Sequence, residues 1–238
     1  MPYQAHLRNL KRTYDLERRL DIGEYDKAIQ DFSKAIELDP TNVSVYYSRG
    51  DCYKNIEEYD KAIQDFSKAI ELDPKDASVY DAFCMRGDCY KNIGEYDKAI
   101  QDFSKAIELY PNVSVYYSRG DCYKNIEEYD KAIQDFSKAI ELWLDNAYVY
   151  DMRGDCYKNI EEYDKAIQDF SKAIELDPTN ASVYYSKAIQ DFSKAIELDP
   201  TNASVYYSRG HCYEGIEEDD KAIQDFSKAL EINPNYEF

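Results

Sequence analysis

Histidine, tryptophan and glycine are scarce in this sequence, which contains two histidines, one tryptophan and eight glycines. His6 and His211 lie far apart along the chain, and no glycine-rich loop of the kind that cradles a phosphate occurs. Paired glutamates such as Glu57 and Glu58 recur in predicted turns, which is typical of solvated corners and not of a tuned acid and base pair. The sequence therefore predicts no enzyme and no cofactor.

Basic residues are also few, since 29 lysines and arginines face 48 aspartates and glutamates, for a formal net charge of −19. Binding nucleic acid requires a basic surface, so the sequence excludes nucleic acid as a partner. A protein or peptide partner that is basic or neutral is favoured over an acidic one.

Long apolar runs are missing. No segment is long and apolar enough to span a membrane, and the N-terminal stretch lacks the apolar centre of a secretory signal. We therefore expect a cytoplasmic protein with no membrane partner. The alternative is an extracellular protein glycosylated at its four N-x-S sequons, Asn42, Asn112, Asn180 and Asn202. Because each sequon lies where a helix is predicted to begin, helix capping is the favoured role of these asparagines.

Six cysteines are present, and five of them occupy one slot of a repeated segment: Cys52, Cys89, Cys122, Cys156 and Cys212. A regular slot of this kind favours a small buried apolar side chain over a disulfide framework. Cys84 and Cys89 are five residues apart, which is neither a C-x-x-C motif nor one helical turn. No metal site is therefore predicted, and reduced thiols suit the cytoplasm.

The repeated segment is the dominant feature of the sequence. The string KAIQDFSKA occurs seven times, with successive spacings of 34, 37, 33, 34, 22 and 34 residues. A fixed period in this range indicates an array of stacked supersecondary units. We predict one domain, 1–238, with repeats at about 9–42, 43–76, 77–112, 113–146, 147–180, a truncated 181–202, and 203–236.

Residues 43–76 show the pattern of one unit. Two stretches have apolar residues at helical spacing, the segment from Asn55 to Glu58 forms the turn between them, and Asp73-Pro74 ends the second. The unit is therefore predicted to be an antiparallel helix hairpin. Small residues are expected to let the helices approach closely, and aromatic rings to fill the remaining space. The small residues are Gly50, Ala62 and Ala69, and the rings are those of Tyr46, Tyr53 and Phe66.

At these positions the sequence resembles the tetratricopeptide repeat family. The matching slots of one unit are Tyr46, Gly50, Tyr53, Ala62, Phe66, Ala69 and Pro74. The resemblance implies an all-α, right-handed superhelical solenoid of antiparallel helix pairs, with an irregular sixth repeat. It also implies a protein–protein interaction scaffold that binds a peptide or partner helix in a concave groove lined by the first helix of each pair.

By the same resemblance, the groove positions carry tyrosine, aspartate, lysine and asparagine. They are Tyr47, Asp51, Lys54, Asn55, Asp88, Lys91, Asn92, Tyr117, Asp121, Lys124, Asn125, Asp155, Lys158 and Asn159. Family members that hold a chaperone's C-terminal carboxylate resemble one another in placing lysine and asparagine where this chain has Tyr47 and Asp51. A ladder of aspartates would repel such a carboxylate. The alternative is that these are ordinary solvated residues copied along with the core.

Four departures from the family pattern lead to expectations of their own. Arginine stands before the repeated glycine, as in Arg49, and its charge is expected to reach water. Trp143-Leu144 replaces Asp-Pro and is expected to bend that corner differently. Three extra residues, Ala82-Phe83-Cys84, predict a longer or bulged helix. Segment 181–202 lacks twelve residues, which predicts one continuous helix and a reversed chain direction after it.

Self-assembly is the alternative function. The last repeat keeps its apolar residues, and no further repeat follows within this sequence. Segment 1–22 contains five basic and three acidic residues, whereas 203–238 contains three basic and eight acidic ones. Head-to-tail stacking of copies into a filament is therefore the second hypothesis.

Overall fold

A computed structural model describes residues 24–74, 78–178 and 181–234 of the chain. The chain divides into two compact units, Met1–Cys122 and Tyr123–Phe238. Several of the predictions lie outside the described residues: those for the first helix of the first repeat, the basic N-terminal segment, Asn180 and the last four residues.

The first unit consists of helix pairs that follow the sequence repeats. Its helices are α1 (Tyr25–Leu38), α2 (Val43–Asn55), α3 (Tyr59–Leu72), α4 (Ser78–Asn92), α5 (Tyr96–Leu109) and the start of α6 (Val113–Asn125). Each helix packs against the next along the chain from α1 to α5. Short connections between neighbours make them antiparallel.

The second unit begins within α6. Its further helices are α7 (Tyr129–Leu142), α8 (Ala147–Asn159), α9 (Tyr163–Leu176), α10 (Ala181–Leu198), α11 (Ala203–Glu214) and α12 (Asp219–Ile232). Consecutive helices from α7 to α12 pack against one another. Since every element across the described ranges is helical, the predicted all-α fold is confirmed.

Close approach within each hairpin depends on a glycine and a phenylalanine sixteen residues apart. A β-carbon built on Gly50 would lie 3.0 Å from the ring of Phe66, and one on Gly154 would lie 2.8 Å from Phe170. Both rings are fully buried, as are the alanines that recur at the same position of each repeat, such as Ala62. The predicted interlocking of small and aromatic residues is therefore confirmed.

The turn between paired helices uses a left-handed residue. Glu57 has φ 63°, and Gly94 occupies the same slot with φ 79°. The amide of Glu57 donates to the carbonyl of Lys54, and the amide of Glu58 donates to that of Tyr53. These two bonds form a Schellman motif, which satisfies the last carbonyls of α2. A glutamate in this conformation is strained, because the left-handed region suits glycine.

The third repeat absorbs its extra residues by lengthening a helix. The helix α4 has 15 residues where α2 has 13, and it remains regular α-helix throughout. Ala82 is buried, and Phe83 and Cys84 are half-buried. The longer helix is confirmed, without a bulge.

The corner at Trp143 follows the common pattern at its first residue. Trp143 has φ −148° and ψ 98°, close to the φ −143° and ψ 88° of Asp39 at an ordinary corner. The prediction of a different bend is wrong at this residue, because its backbone still caps the helix through a bond to the carbonyl of Ala139. What differs is the surface, where Trp143 and Leu144 are exposed.

The truncated repeat forms one helix, as predicted. The 18-residue helix α10 packs against α9 on one side and α11 on the other. Four residues join it to each neighbour, so α10 replaces a whole hairpin and the following pair runs in the opposite direction. The loop at Asp199 and Asn202 consequently lies beside the turn residues Glu161 and Glu162, where the four line a shallow cavity of about 220 Å³.

Asparagine capping is confirmed at two sequons. The Oδ1 atom of Asn112 accepts a hydrogen bond from the amide of Ser114 at 2.9 Å, and that of Asn202 accepts from the amide of Ser204 at 3.2 Å. Asn42 accepts instead from the hydroxyl of Ser44 at 2.8 Å. The carboxamides of Asn112 and Asn202 therefore cap the helices that follow them.

The cysteines are buried or half-buried, and all six are free thiols. Burial raises the pKa of Cys52, Cys89, Cys122 and Cys212 to about 12. A thiol with so high a pKa is a poor nucleophile. The prediction that this slot holds a small buried side chain is confirmed.

Candidate peptide-binding surface

The fourteen predicted groove residues all lie on first helices, namely α2, α4, α6 and α8. The asparagines are exposed, and the tyrosines, aspartates and lysines are half-buried. We call the members of this set within each unit the first-helix surface of that unit. The structure brings its members together in pairs from neighbouring repeats, as the ion pairs show.

Lysines of the first-helix surface reach the aspartates of the next repeat. In the first unit, the Nζ atom of Lys54 lies 3.8 Å from an oxygen of Asp88, and that of Lys91 lies 3.3 Å from one of Asp121. In the second unit, Lys124 lies 3.2 Å from Asp155. The predicted aspartate ladder is therefore an alternating ladder of paired charges. Its net field is weaker than the aspartates alone would produce.

Burial affects the carboxylate of Asp88. The pKa of Asp88 is raised, first because burial disfavours its charged form, although Lys54 and Lys91 act in the opposite direction. The two lysines thus compensate only part of the cost of burying Asp88.

The asparagines project at the rim of this surface. The Nδ2 atom of Asn55 donates to the carbonyl of Asp51 at 2.7 Å, and those of Asn92 and Asn159 make the equivalent bonds at 2.8 and 2.7 Å. Each bond holds the carboxamide against its own helix. The carbonyl oxygen of an amide held in this way can accept a hydrogen bond from a ligand backbone.

Tyr47 lies deeper than the asparagines. Its ring packs edge-on against Phe66 with the ring centroids 5.6 Å apart. Burial, followed by the charges of Asp81 and Asp51, raises the pKa of Tyr47 to about 12. The side chain is therefore half-buried and part of the core packing around Phe66.

A second set of charged contacts was not predicted. In four complete repeats the arginine before the glycine binds an aspartate of its own hairpin through two hydrogen bonds of 2.7 to 2.8 Å. The third nitrogen donates to a serine of the preceding second helix at 2.9 to 3.0 Å. We call this contact the arginine clamp. Its members are Arg49, Asp65 and Ser33; Arg86, Asp102 and Ser67; Arg153, Asp169 and Ser137; and Arg209, Asp225 and Ser193.

The clamp corrects the expectation that these arginines reach water. Asp65 is only 4% exposed and the side chain of Arg49 is 19% exposed, so the guanidinium is half-buried against a buried carboxylate. The guanidinium of Arg49 also lies 5.9 Å from the ring centroids of Tyr46 and Tyr53, within the range of a cation–π contact. The hydrogen bond to Asp65 is the first cause of the raised pKa of Arg49. A signal was present in the sequence, because arginine and aspartate recur sixteen residues apart in five of the seven repeats.

Sequence profiles described as "Tetratricopeptide repeat" match residues 43–76, 80–113, 113–146, 149–180 and 203–236. A profile described as "TPR repeat" matches 18–57 and 185–216. The chain belongs to the tetratricopeptide repeat (TPR) family. TPR proteins are scaffolds for protein–protein interaction and are typically non-enzymatic. No curated protein sequence matches the chain.

Solved structures of TPR proteins resemble this one. YrrB, described as a TPR protein with an unusual peptide-binding site, is 24% identical, with a TM-score of 0.55 over 86% of this chain and 93% of YrrB. MamA is 27% identical, with a TM-score of 0.55 over 82% of this chain and 96% of its own. A TPR protein from Parabacteroides merdae ATCC 43184 is 20% identical, with a TM-score of 0.67 over 95% and 94%. These likenesses support a helical solenoid.

The part of the chain that the structure describes contains no group of three or more histidine, cysteine, aspartate or glutamate side chains placed to hold a metal ion. Within the same residues, no helix is both long enough and apolar enough to cross a membrane.

Proposed function

We propose that this TPR protein is a scaffold that binds an extended peptide or a partner helix along its first-helix surface. The observation that carries the proposal is the regular recurrence of the same exposed and half-buried polar groups on successive first helices. Asn55, Asn92 and Asn159 present equivalent carboxamides, each held by a bond to its own helix. Carboxamides that recur at the same helical position can accept hydrogen bonds from the N–H groups of an extended peptide backbone. YrrB, which shares the fold, is described as having a peptide-binding site.

The proposed ligand is neutral or basic. The lysine–aspartate pairs reduce the local charge of the surface, but the chain as a whole carries a net charge of −19. An acidic field attracts basic ligands over distances of about 8 Å at physiological salt. We therefore expect the charge of the protein to affect the rate at which peptides associate more than it affects which peptide sequences bind.

Selection from a peptide library on the intact chain tests this function. The selected peptides should bind with affinities that fall when Asn55 and Asn92 are both changed to alanine. The expected loss is about 1 to 3 kcal/mol, since each change removes an acceptor for a ligand N–H group. Peptides of matched length with acidic, neutral and basic side chains would test the charge preference.

Gln64 and Gln101 supply the matched control. Both are exposed amides, but they lie on the second helices α3 and α5. Changing both to alanine should leave peptide affinity unchanged. Equal losses from the two double variants, or no loss from the asparagine variant, would contradict binding at the first-helix surface.

Head-to-tail self-association is the second candidate function. On α12, Ile223 is 62% exposed, whereas Ile29, Ile63 and Ile100 in the same slot of earlier second helices are half-buried against the next layer. Glu214 stands where inner repeats have the lysine that pairs forward, and Asp219 stands where they have tyrosine. A matching surface would therefore be apolar with basic residues around it, which fits the basic composition of segment 1–22.

Light scattering across protein and salt concentration distinguishes this candidate from the first. Self-association predicts a mass that grows with concentration, falls with salt, and is reduced by Ile223→Asp. A constant monomer mass would contradict it without affecting the peptide-binding proposal.

A further inference from the structure

Asp191 of α10 has lost the partner that its counterparts keep. It occupies the slot of Asp65, Asp102, Asp169 and Asp225, each of which is held by an arginine through two hydrogen bonds of 2.7 to 2.8 Å. The residues missing from the truncated repeat include the arginine that would bind Asp191. Its carboxylate is nevertheless as buried as the others, with 2% of the residue exposed.

The remaining contacts of Asp191 are poor. Its Oδ1 atom lies 3.5 Å from the Nζ atom of Lys158, and its Oδ2 atom is buried with no hydrogen-bond partner. Among the described residues, this is the one buried side-chain oxygen or nitrogen left in that condition. An ionised carboxylate that is buried with an unsatisfied oxygen destabilises the folded state.

The neighbouring charges do not supply the missing partner. Lys187, one turn earlier on α10, is bound to Asp151 of α8 at 2.8 and 2.9 Å and lies 3.6 Å from Asp155. On α9, Asp169 is held by Arg153. On α11, Arg209 is occupied by Asp225 and by Ser193 of α10. The helix α10 thus completes the clamp of the next hairpin while its own aspartate lacks one.

We propose that Asp191 makes the stability of the second unit depend on pH. Uptake of a proton at mildly acidic pH stabilises the second unit by removing a buried charge, and loss of that proton near neutral pH destabilises it. Protonation removes the buried charge and supplies an O–H donor.

The expected titration supports this sequence of events. Burial is the first cause that raises the pKa of Asp191, to about 6, with Lys158 and Lys187 lowering it and Asp155 raising it. The pKa of an aspartate in an unfolded chain is about 3.9. Because the folded-state pKa is the higher one, the stabilisation is complete below the unfolded value and is lost as pH rises through about 6.

Denaturant unfolding of the full chain and of Asp191→Asn, at several pH values, tests the proposal. Asparagine resembles the protonated carboxyl, so the variant should be more stable than the natural chain at neutral pH. The difference should shrink roughly tenfold in equilibrium constant between about pH 7.5 and about pH 5. Asp88 and Asp151 also have raised pKa values, so only the difference between the two proteins isolates Asp191.

Asp169→Asn is the matched control, since Asp169 is equally buried but keeps its arginine. It should lower stability at neutral pH, the opposite sign to Asp191→Asn. The proposal is overturned if Asp191→Asn is no more stable than the natural chain at neutral pH, or if their difference does not depend on pH. Should the variant fail to fold, the NMR titration of the Asp191 carboxyl carbon in the natural chain decides: a midpoint near 6 supports the proposal, and one below about 4.5 overturns it.

Discussion

The complete hairpins and the spliced helix α10 are built from the same sequence motif but differ in how their charges are satisfied. In the hairpins, an arginine from the first helix holds an aspartate of the second, and a serine of the previous repeat completes the contact. In α10 the serine and the aspartate remain, but the arginine is missing. The apolar face of the motif survives the splice, because Ala188 and Phe192 are still buried.

Apolar packing and the arginine clamp therefore tolerate a deletion to different degrees. Apolar packing requires only that a helix present its stripe to a neighbour, whereas the clamp requires two helices with fixed spacing. A deletion that keeps helical phase therefore preserves the core and leaves one buried carboxylate unsatisfied. Four measurements, given from the largest expected effect to the smallest, test this difference between the hairpins and α10.

Phenylalanine truncation has the largest expected effect. Phe136→Ala in a complete hairpin and Phe192→Ala in α10 should each lower the free energy of unfolding by about 3 to 5 kcal/mol, because both rings are buried and leave cavities. Denaturant unfolding measures both. A cost near zero for Phe192 alone would show that α10 is loosely packed and that the splice damages the core as well.

Arginine removal comes next. Arg153→Ala should lower the free energy of unfolding by about 3 kcal/mol, because it leaves the buried carboxylate of Asp169 without its partner. Lys165→Ala is the control, since that lysine forms a surface pair with Glu162 and should cost less than about 1 kcal/mol. Equal effects would mean that the clamp contributes no more than an exposed ion pair.

The pH test of Asp191→Asn ranks third. At neutral pH, Asp191→Asn should raise the free energy of unfolding, whereas Asp169→Asn should lower it. This opposition is the sharpest contrast between α10 and the hairpins. If both substitutions changed stability in the same direction, the unsatisfied Oδ2 atom of Asp191 would not distinguish α10 from the hairpins.

The turns provide the smallest test. Glu57→Gly should raise the free energy of unfolding by about 0.5 to 1 kcal/mol, because glycine adopts the φ of 63° without strain. Gly94→Ala should lower it by a similar amount. The helix α10 contains no such turn, so this source of strain is confined to the hairpins. A loss of stability in Glu57→Gly would show that the glutamate side chain matters more than its backbone.

Much of this architecture could be predicted from the sequence. The period of the KAIQDFSKA string predicted the hairpins, and the phase of apolar residues across Ser186 and Lys187 predicted a continuous α10. The arginine clamp was missed because the position of Arg49 beside a glycine suggested a snorkelling side chain. Its guanidinium instead binds the buried carboxylate of Asp65, and that contact depends on how the two helices of the hairpin pack.

The candidate site was less predictable. The first-helix positions came from the family resemblance, but their pairing did not. Lys54 and Asp88 are 34 residues apart, so their contact depends on how one layer sits on the next. Helical periodicity describes one helix at a time and does not reveal which charges from separate layers compensate one another.

NMR chemical shifts of the backbone across residues 181–198 test the contrast most directly. We expect helical Cα and carbonyl shifts without interruption through Ser186 and Lys187, with slow amide exchange in the helix interior. Two helical segments separated by a break at that junction would contradict it, since the spliced repeat would then be a hairpin after all.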